Sequence, residues 1–222
     1  MPPTPRWPVV VFDLDGTLVD TIGLIVASYQ HAFTTVLGRT HDEAMIRSWI
    51  GQPLIRGFRS IDPGRADELL DTYLAWNRAN TERLIRRYAG IETLLADLTA
   101  AGAQVAAATS KLRGPAVEAV RLTGLQAYLD VLVTMEDTEA HKPDPAPLLL
   151  AVDRLGGTPA HAVYVGDAAV DVRAAHNAGM AAVGVTWGAG TRADVVAAEP
   201  DVVAHTVDAL RAALLGAGPA AT

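Results

Sequence analysis

From Ala89-Gly90 onward the sequence switches regularly between two hydrophobic rhythms, and this switching constrains the fold more than any other feature. Short runs of β-branched or small apolar residues read as strands over Gln104–Ala108, Val131–Thr134, Ala162–Val165 and Ala181–Val185. Between them lie stretches with helical spacing over Ile91–Ala101, Pro115–Leu122, Pro145–Leu155 and Val170–Ala178, and a last helix is expected over Val207–Leu215. Strands separated by helical stretches of roughly 10–15 residues imply βαβ units, and hence a parallel sheet covered on both faces. A further apolar run, Val9–Leu14 (VVVFDL), is stopped by Asp15-Gly16 and reads as a first buried strand of the same sheet.

Between that first strand and Ala89 the rhythm is helical throughout. Ile22, Ile25, Val26, Tyr29, Phe33, Val36 and Leu37 recur at three- and four-residue spacing up to Gly38, and Leu69, Leu70, Tyr73 and Leu74 repeat the pattern. No strand is expected there. The chain therefore reads as one Rossmann-like α/β core, residues 8–20 plus 89–222, interrupted after its first strand by a helical unit over 21–88. Residues 1–7 hold three prolines and read as a loosely tacked arm, and Gly216–Thr222 as a frayed end.

Composition narrows the partners. Against 25 acidic residues stand 18 Lys and Arg, for a net charge of −7, and no basic cluster offsets this, so a nucleic-acid groove is not expected. There is no cysteine, which excludes disulfides, thiolate metal sites and thiol nucleophiles. No apolar run has the roughly 20 residues that a membrane span needs, and the start MPPTPRWP lacks the apolar segment of a signal peptide. A cytoplasmic protein, monomeric or homodimeric, is expected.

In parallel α/β sheets ligands bind outside the carboxyl ends of the strands. There the sequence puts Asp13 and Asp15 after the first strand, Thr109 and Ser110 after Gln104–Ala108, and Asp167 with Asp171 after Ala162–Val165. Lys142 lies in a proline-rich loop at the same edge. Asp13 and Asp15, two apart on an extended strand, would point to one side, and Asp167 and Asp171 would share a face of a helix start. Clustered acids repel unless a cation joins them, and an all-oxygen cluster without His or Cys suits Mg²⁺. A nearby lysine and hydroxyl would then hold the remaining oxygens of a phosphate.

These residues carry a resemblance. The segment FDLDGTLVDT (Phe12–Thr21) resembles the nucleophile motif of the haloacid dehalogenase (HAD) superfamily, and Thr109, Lys142 and Gly166-Asp167 with Asp171 resemble its other three motifs in order. The helical unit occupies the position of that superfamily's C1-type cap. GQPL (Gly51–Leu54), TSK (Thr109–Lys111), HKPDPAPL (His141–Leu148) and GVTWG (Gly184–Gly188) are similar to its phosphoglycolate phosphatase and bacterial pyrophosphatase branch. The resemblance implies that Asp13 is a nucleophile forming an aspartyl-phosphate, and that Asp15 is a general acid and base which also ligates metal through its carbonyl. Asp13, Asp167 and Asp171 would complete a Mg²⁺ site. Thr109 and Lys142 would bind the phosphoryl group, with backbone N–H groups near Gly16 and Ser110. Where the family often has a small polar residue after the motif-four Asp, this chain has Ala168.

From the cap, Gln52 and Arg56 are expected to reach the part of the substrate beyond the phosphate, with Arg59, Trp76, Asn77 and Arg78 as further candidates. A cationic Arg56 would favour a leaving group with its own negative charge. The expected substrate is thus a small phosphorylated metabolite, phosphoglycolate first and inorganic pyrophosphate next. A sugar phosphomutase is a less favoured alternative, because Thr17 is phosphatase-like. Outside enzymes, a phospho-acceptor signalling domain also combines strand-end Asp residues with Thr and Lys, but it resembles a chain of about half this length without the insert or the acid at i+2. Gly188-Ala189-Gly190-Thr191-Arg192-Ala193 fits G-x-G-x-x-A, yet lies after the last expected strand rather than in the first βα turn, and reads as a glycine loop beside the site.

Overall fold

The computed structural model of the chain describes residues 4–216. Its strands are β1 (Val9–Phe12), β2 (Val19–Asp20), β3 (Arg86–Arg87), β4 (Gln104–Ala108), β5 (Val131–Val133), β6 (Ala162–Gly166), β7 (Ala181–Val185) and β8 (Val202–Ala204). Its helices are α1 (Ile22–Leu37), α2 (Glu43–Ser48), α3 (Leu54–Ile61), α4 (Ala66–Leu84), α5 (Ile91–Ala100), α6 (Arg113–Leu122), α7 (Ala146–Arg154), α8 (Ala169–Asn177), α9 (Arg192–Ala197) and α10 (Val207–Leu215). Six strands form one parallel sheet in the order β5-β4-β1-β6-β7-β8.

β1 is buried at every position because both faces are covered. Val10 and Phe12 pack with Leu94, Leu98 and Leu210 from α5 and α10 on one face. Val9 and Val11 pack with Leu148, Val152 and Val172 from α7 and α8 on the other. Phe12 pairs in register with Ala107 of β4 and Val165 of β6, which aligns the ends of three strands. The chain fills one side of β1 with β4 and β5, then crosses to fill the other. This reversal opens a crevice at the end of β1.

Helices α1–α4 pack into a core of their own. The Tyr29 ring lies 4.8 Å from Phe58, 5.0 Å from Tyr73 and 5.5 Å from Trp49 between centroids. α1 stops at Gly38, whose φ of 69° lets its N–H close onto the Thr34 carbonyl, as the sequence pattern predicts.

Three expectations need correction. The insert is joined to the core by paired strands, since Val19 faces Arg87 and Asp20 faces Arg86 in an antiparallel ribbon. A two-residue strand of arginines has no alternation to reveal it. The segment between β7 and α10 holds α9 and β8, too short at six and three residues to set up a readable period. The arm over 1–7 is tied down at its end: Trp7 is buried in the core, and the Arg6 N–H donates to the Leu214 carbonyl at 2.8 Å. The rest of that expectation at residues 1–3, and the frayed end over 217–222, lie outside the described residues. Among those described, no helix is long and apolar enough to cross a membrane.

Candidate active site

Three carboxylates meet where β1 and β6 end. Asp13, Asp167 and Asp171 each bring an oxygen within 4.8 Å of the others, and all three are buried. Each is positioned by backbone geometry. The Asp13 N–H is held by the Val165 carbonyl at 2.8 Å, Asp167 directly follows β6, and Asp171 lies in the first turn of α8 with Oδ2 accepting the Ala168 N–H at 2.9 Å. Lys142, 1% exposed, places its Nζ 2.6 Å from Asp171 Oδ1 and 3.0 Å from Asp13 Oδ1. The Tyr164 hydroxyl accepts from Lys142 at 3.0 Å and donates to the Ala108 carbonyl at 2.7 Å, locking the ammonium between β4 and β6.

One ammonium cannot neutralise three buried acids. Burial pushes the Asp13 carboxyl up to about 8 against the pull of Lys142, with Asp171, Asp167 and Asp15 adding to the rise. Burial and then Asp171 push Asp167 up to about 7, although the Ala189 N–H and the Thr17 hydroxyl oppose this. For Lys142 burial opposes the charge, but Asp13 and Asp171 hold it protonated well above the ordinary lysine range. Asp13 Oδ1 also has no hydrogen-bond donor, since Lys142 approaches it outside hydrogen-bonding geometry. A buried oxygen without a donor, among convergent carboxylates short of positive charge, fits a hard divalent cation.

Asp15 has other partners. The strand ends at Phe12 and the chain turns, so Asp13 and Asp15 do not lie on one extended segment as expected, although both side chains line the same cavity. Asp15 accepts the Thr21 hydroxyl at 2.6 Å and is straddled by Lys111 Nζ, at 3.0 Å and 3.1 Å from its two oxygens. Its side chain is outside the carboxylate cluster. Thr109 follows β4 with its N–H on the Val133 carbonyl, and its hydroxyl oxygen accepts the Lys111 N–H at 3.2 Å.

The turn after Asp15 depends on glycine. Gly16 has φ +82°, and a Cβ there would lie 2.5 Å from Asp167 Oδ2. Its amide donates to the Val19 carbonyl at 2.8 Å, so it is committed to the turn rather than free for a phosphate, a correction to the expected role. The glycine loop after β7 is explained in the same way. The Ala189 N–H donates to Asp167 Oδ2 at 2.6 Å, and side chains at Gly188 or Gly190 would collide with Asp167. Those glycines serve close approach to a carboxylate, which removes the basis for a dinucleotide reading.

The insert closes over these residues and leaves a cavity of about 40 Å³, room for a few waters when one needs roughly 10–15 Å³. Asp13, Asp15, Thr109, Ser110 and Lys111 line it from the core, and Gln52, Asn77, Trp49 and Tyr73 from the insert. Ser110 Oγ donates to the Gly51 carbonyl at 2.8 Å, bridging strand end and insert. Arg56 does not reach the cavity. It is exposed on α3, as is Arg59, while Arg78 is exposed on α4 and Trp76 stacks on His31. Which side of a short amphipathic helix faces the core depends on docking, and the sequence of α3 alone does not encode that. Thr21, Tyr164 and Lys111 had gone without a role. Their signals were slight: a hydroxyl opposite Asp15, one phenol in an apolar strand, and a lysine two residues past Thr109.

Comparison with known proteins shows the family and the fold. The family model described as haloacid dehalogenase-like hydrolase matches residues 10–185. Pyrophosphatase PpaX of Bacillus velezensis is 38% identical over 192 residues, which cover 86% of this chain and 89% of that protein. Pyrophosphatase PpaX of Halalkalibacterium halodurans is 36% identical over 171 residues, 77% and 80% of the two chains. Among solved structures, a predicted phosphatase from Clostridium acetobutylicum superposes with a TM-score of 0.83 at 26% identity, over 92% of this chain and 96% of its own. A predicted phosphoglycolate phosphatase from Haemophilus somnus shares the fold, with a TM-score of 0.85 at 24% identity over 94% and 98%.

Proposed function

This chain belongs to the haloacid dehalogenase-like hydrolases, and from that premise we propose that it is a Mg²⁺-dependent phosphohydrolase acting through an aspartyl-phosphate on Asp13. The observation that carries the reading is the buried trio Asp13, Asp167 and Asp171 around Lys142, with one Asp13 oxygen lacking a donor, at the crevice beside a small cavity.

Asp13, Asp167 and Asp171 would hold the cation, with the Asp15 carbonyl as the further ligand that the family resemblance implies. Bound there, Mg²⁺ would neutralise the acids and polarise the phosphoryl oxygens. The chain's own residues do the rest. A carboxylate oxygen of Asp13 attacks phosphorus while the bond to the leaving oxygen breaks. Asp15 gives that oxygen a proton, then takes one from the water that hydrolyses the aspartyl-phosphate, freeing Asp13 and phosphate. Lys142 offsets the charge of Asp13 as an anionic substrate approaches, and Thr109 with Ser110 would hold the phosphoryl oxygens. We take 21–88 as a cap on a core formed by 8–20 and 89–222, hinged at the β2–β3 ribbon.

For substrate, the two relatives named pyrophosphatase support inorganic pyrophosphate ahead of phosphoglycolate, reversing the order expected from the sequence. The small cavity suits either, and the Lys111 ammonium in its wall can meet a phosphate or a carboxylate. Phosphate release across a panel of small phosphate esters and pyrophosphate tests the reading. Wild type should be inactive in EDTA and recover with Mg²⁺. Asp13→Asn should lose at least about 10³-fold, or about 4 kcal/mol of barrier at 1.36 kcal/mol per decade. Activity above a tenth of wild type in that variant would remove Asp13 as nucleophile.

A further inference from the structure

The cavity has a single cationic side chain in its wall, Lys111. Lys142 lies beneath the carboxylates, engaged with Asp13 and Asp171. Arg56, Arg59 and Arg78, the other cations weighed for substrate contact, stand in solvent. The Lys111 backbone is pinned on both sides, its N–H on the Thr109 hydroxyl and its carbonyl accepting the Met135 N–H at 3.0 Å. Only its four-carbon stem is free to move. Its Nζ rests across both oxygens of Asp15, and the side chain is 10% exposed.

Resting on the phosphohydrolase reading, we propose that Lys111 determines specificity by binding the negative charge of the leaving group. A phosphoryl group poised for attack by Asp13 must direct its leaving oxygen toward Asp15, the proton donor, and Asp15 is where the ammonium sits. A leaving group with its own anionic phosphate or carboxylate therefore arrives within reach of Nζ, and the ammonium transfers part of its contact from Asp15 to substrate. A leaving group without charge offers it nothing, and Lys111 stays on Asp15. For a side chain only 10% exposed, such a charge-assisted contact is strong enough to discriminate. This takes over the function that the sequence pattern suggested for Arg56.

The test compares pyrophosphate and phosphoglycolate with phenyl phosphate, whose leaving group is uncharged, for wild type, Lys111→Met, Lys111→Arg and Arg56→Ala. For Lys111→Met, KM for the two anionic substrates should rise at least about tenfold more than KM for phenyl phosphate. Lys111→Arg should recover most of that difference, and Arg56→Ala should produce none. Equal losses on all three substrates would overturn the proposal, because they would mean that Lys111 serves only to hold Asp15. Should Lys111→Met fail to fold, Lys111→Gln keeps a donor for Asp15, removes only the charge and carries the same comparison. A wild type that hydrolyses none of the three overturns the phosphohydrolase reading itself, a result separate from equal losses.

Discussion

At the scale of single residues, a glycine of the site packs tightly against a carboxylate. Gly16 combines a positive φ with contact to Asp167, so Gly16→Ala faces both backbone strain and a collision. We expect about 1–3 kcal/mol of lost stability and, because Asp167 must shift, a higher Mg²⁺ concentration for half-maximal activity. Thermal unfolding and a Mg²⁺ titration check the two effects, and unchanged Mg²⁺ dependence would show that Asp167 tolerates the added methyl group. At this scale the sequence was most legible where chemistry sits at the end of a strand. Asp13, Thr109 and Asp167 could be picked out because a polar residue that stops an apolar run is easily seen, and the aligned strand ends then bring them together; Asp171 stood out by its spacing from Asp167, and Lys142 by its proline-rich loop at the same edge. Lys111 and Arg56 exchanged importance because the choice between them depends on how the insert docks. That docking involves Ser110 and Gly51, 59 residues apart in sequence.

Among elements, the loop that delivers Lys142 is anchored by one carboxylate. Asp137 accepts the Thr134 N–H and hydroxyl, both at 2.8 Å, which closes the short 3-10 turn Met135–Asp137. It also pairs with Arg113 at the start of α6, at 2.6 Å, and with Arg154 at the end of α7, at 3.0 Å. Burial opposes its ionisation, but the two Thr134 bonds, Arg154 and Arg113 prevail and hold the carboxyl far below the ordinary range. A depressed folded-state value means a contribution that is present above the unfolded carboxylate range, near pH 4, and lost as pH falls toward the folded value. Asp137→Ala should cost about 1–3 kcal/mol near neutrality, and its deficit relative to wild type should shrink below about pH 4. A deficit that is constant with pH would assign the loss to packing alone. None of this was visible in sequence, because Thr134 read only as the tail of a strand, Asp137 fell in the unassigned stretch after it, and the arginine partners belong to helices on either side.

For the molecule as a whole, the uncompensated acids should couple stability to a cation bound among them. Asp13 and Asp167 titrate above their unfolded values, at about 8 and about 7. Their favourable contribution is complete below the unfolded carboxylate range and is lost as pH rises through those folded values. The metal-free protein should therefore weaken between about pH 4 and pH 8. Mg²⁺ at about 100 times its dissociation constant contributes about 2.7 kcal/mol, which corresponds to roughly 5–10 °C in Tm for a chain of this length. The increase should be larger at pH 8 than at pH 6. A Tm insensitive to Mg²⁺ at both pH values would argue against a cation among these three residues.

The sheet order has a consequence for the chain as it is made. β1 leaves the ribosome first, yet it is the strand that ends with β4 on one edge and β6 on the other. Thr17 waits 150 residues for Asp167. Throughout that interval a fully apolar strand has an open edge, ready to pair with any other extended segment. A nascent chain stopped before Gly166 would carry Asp13 and lack Asp167 and Asp171 around it. It would be inert as a catalyst and prone to aggregate, so translation has to pass β6 and Asp167 before either hazard is removed.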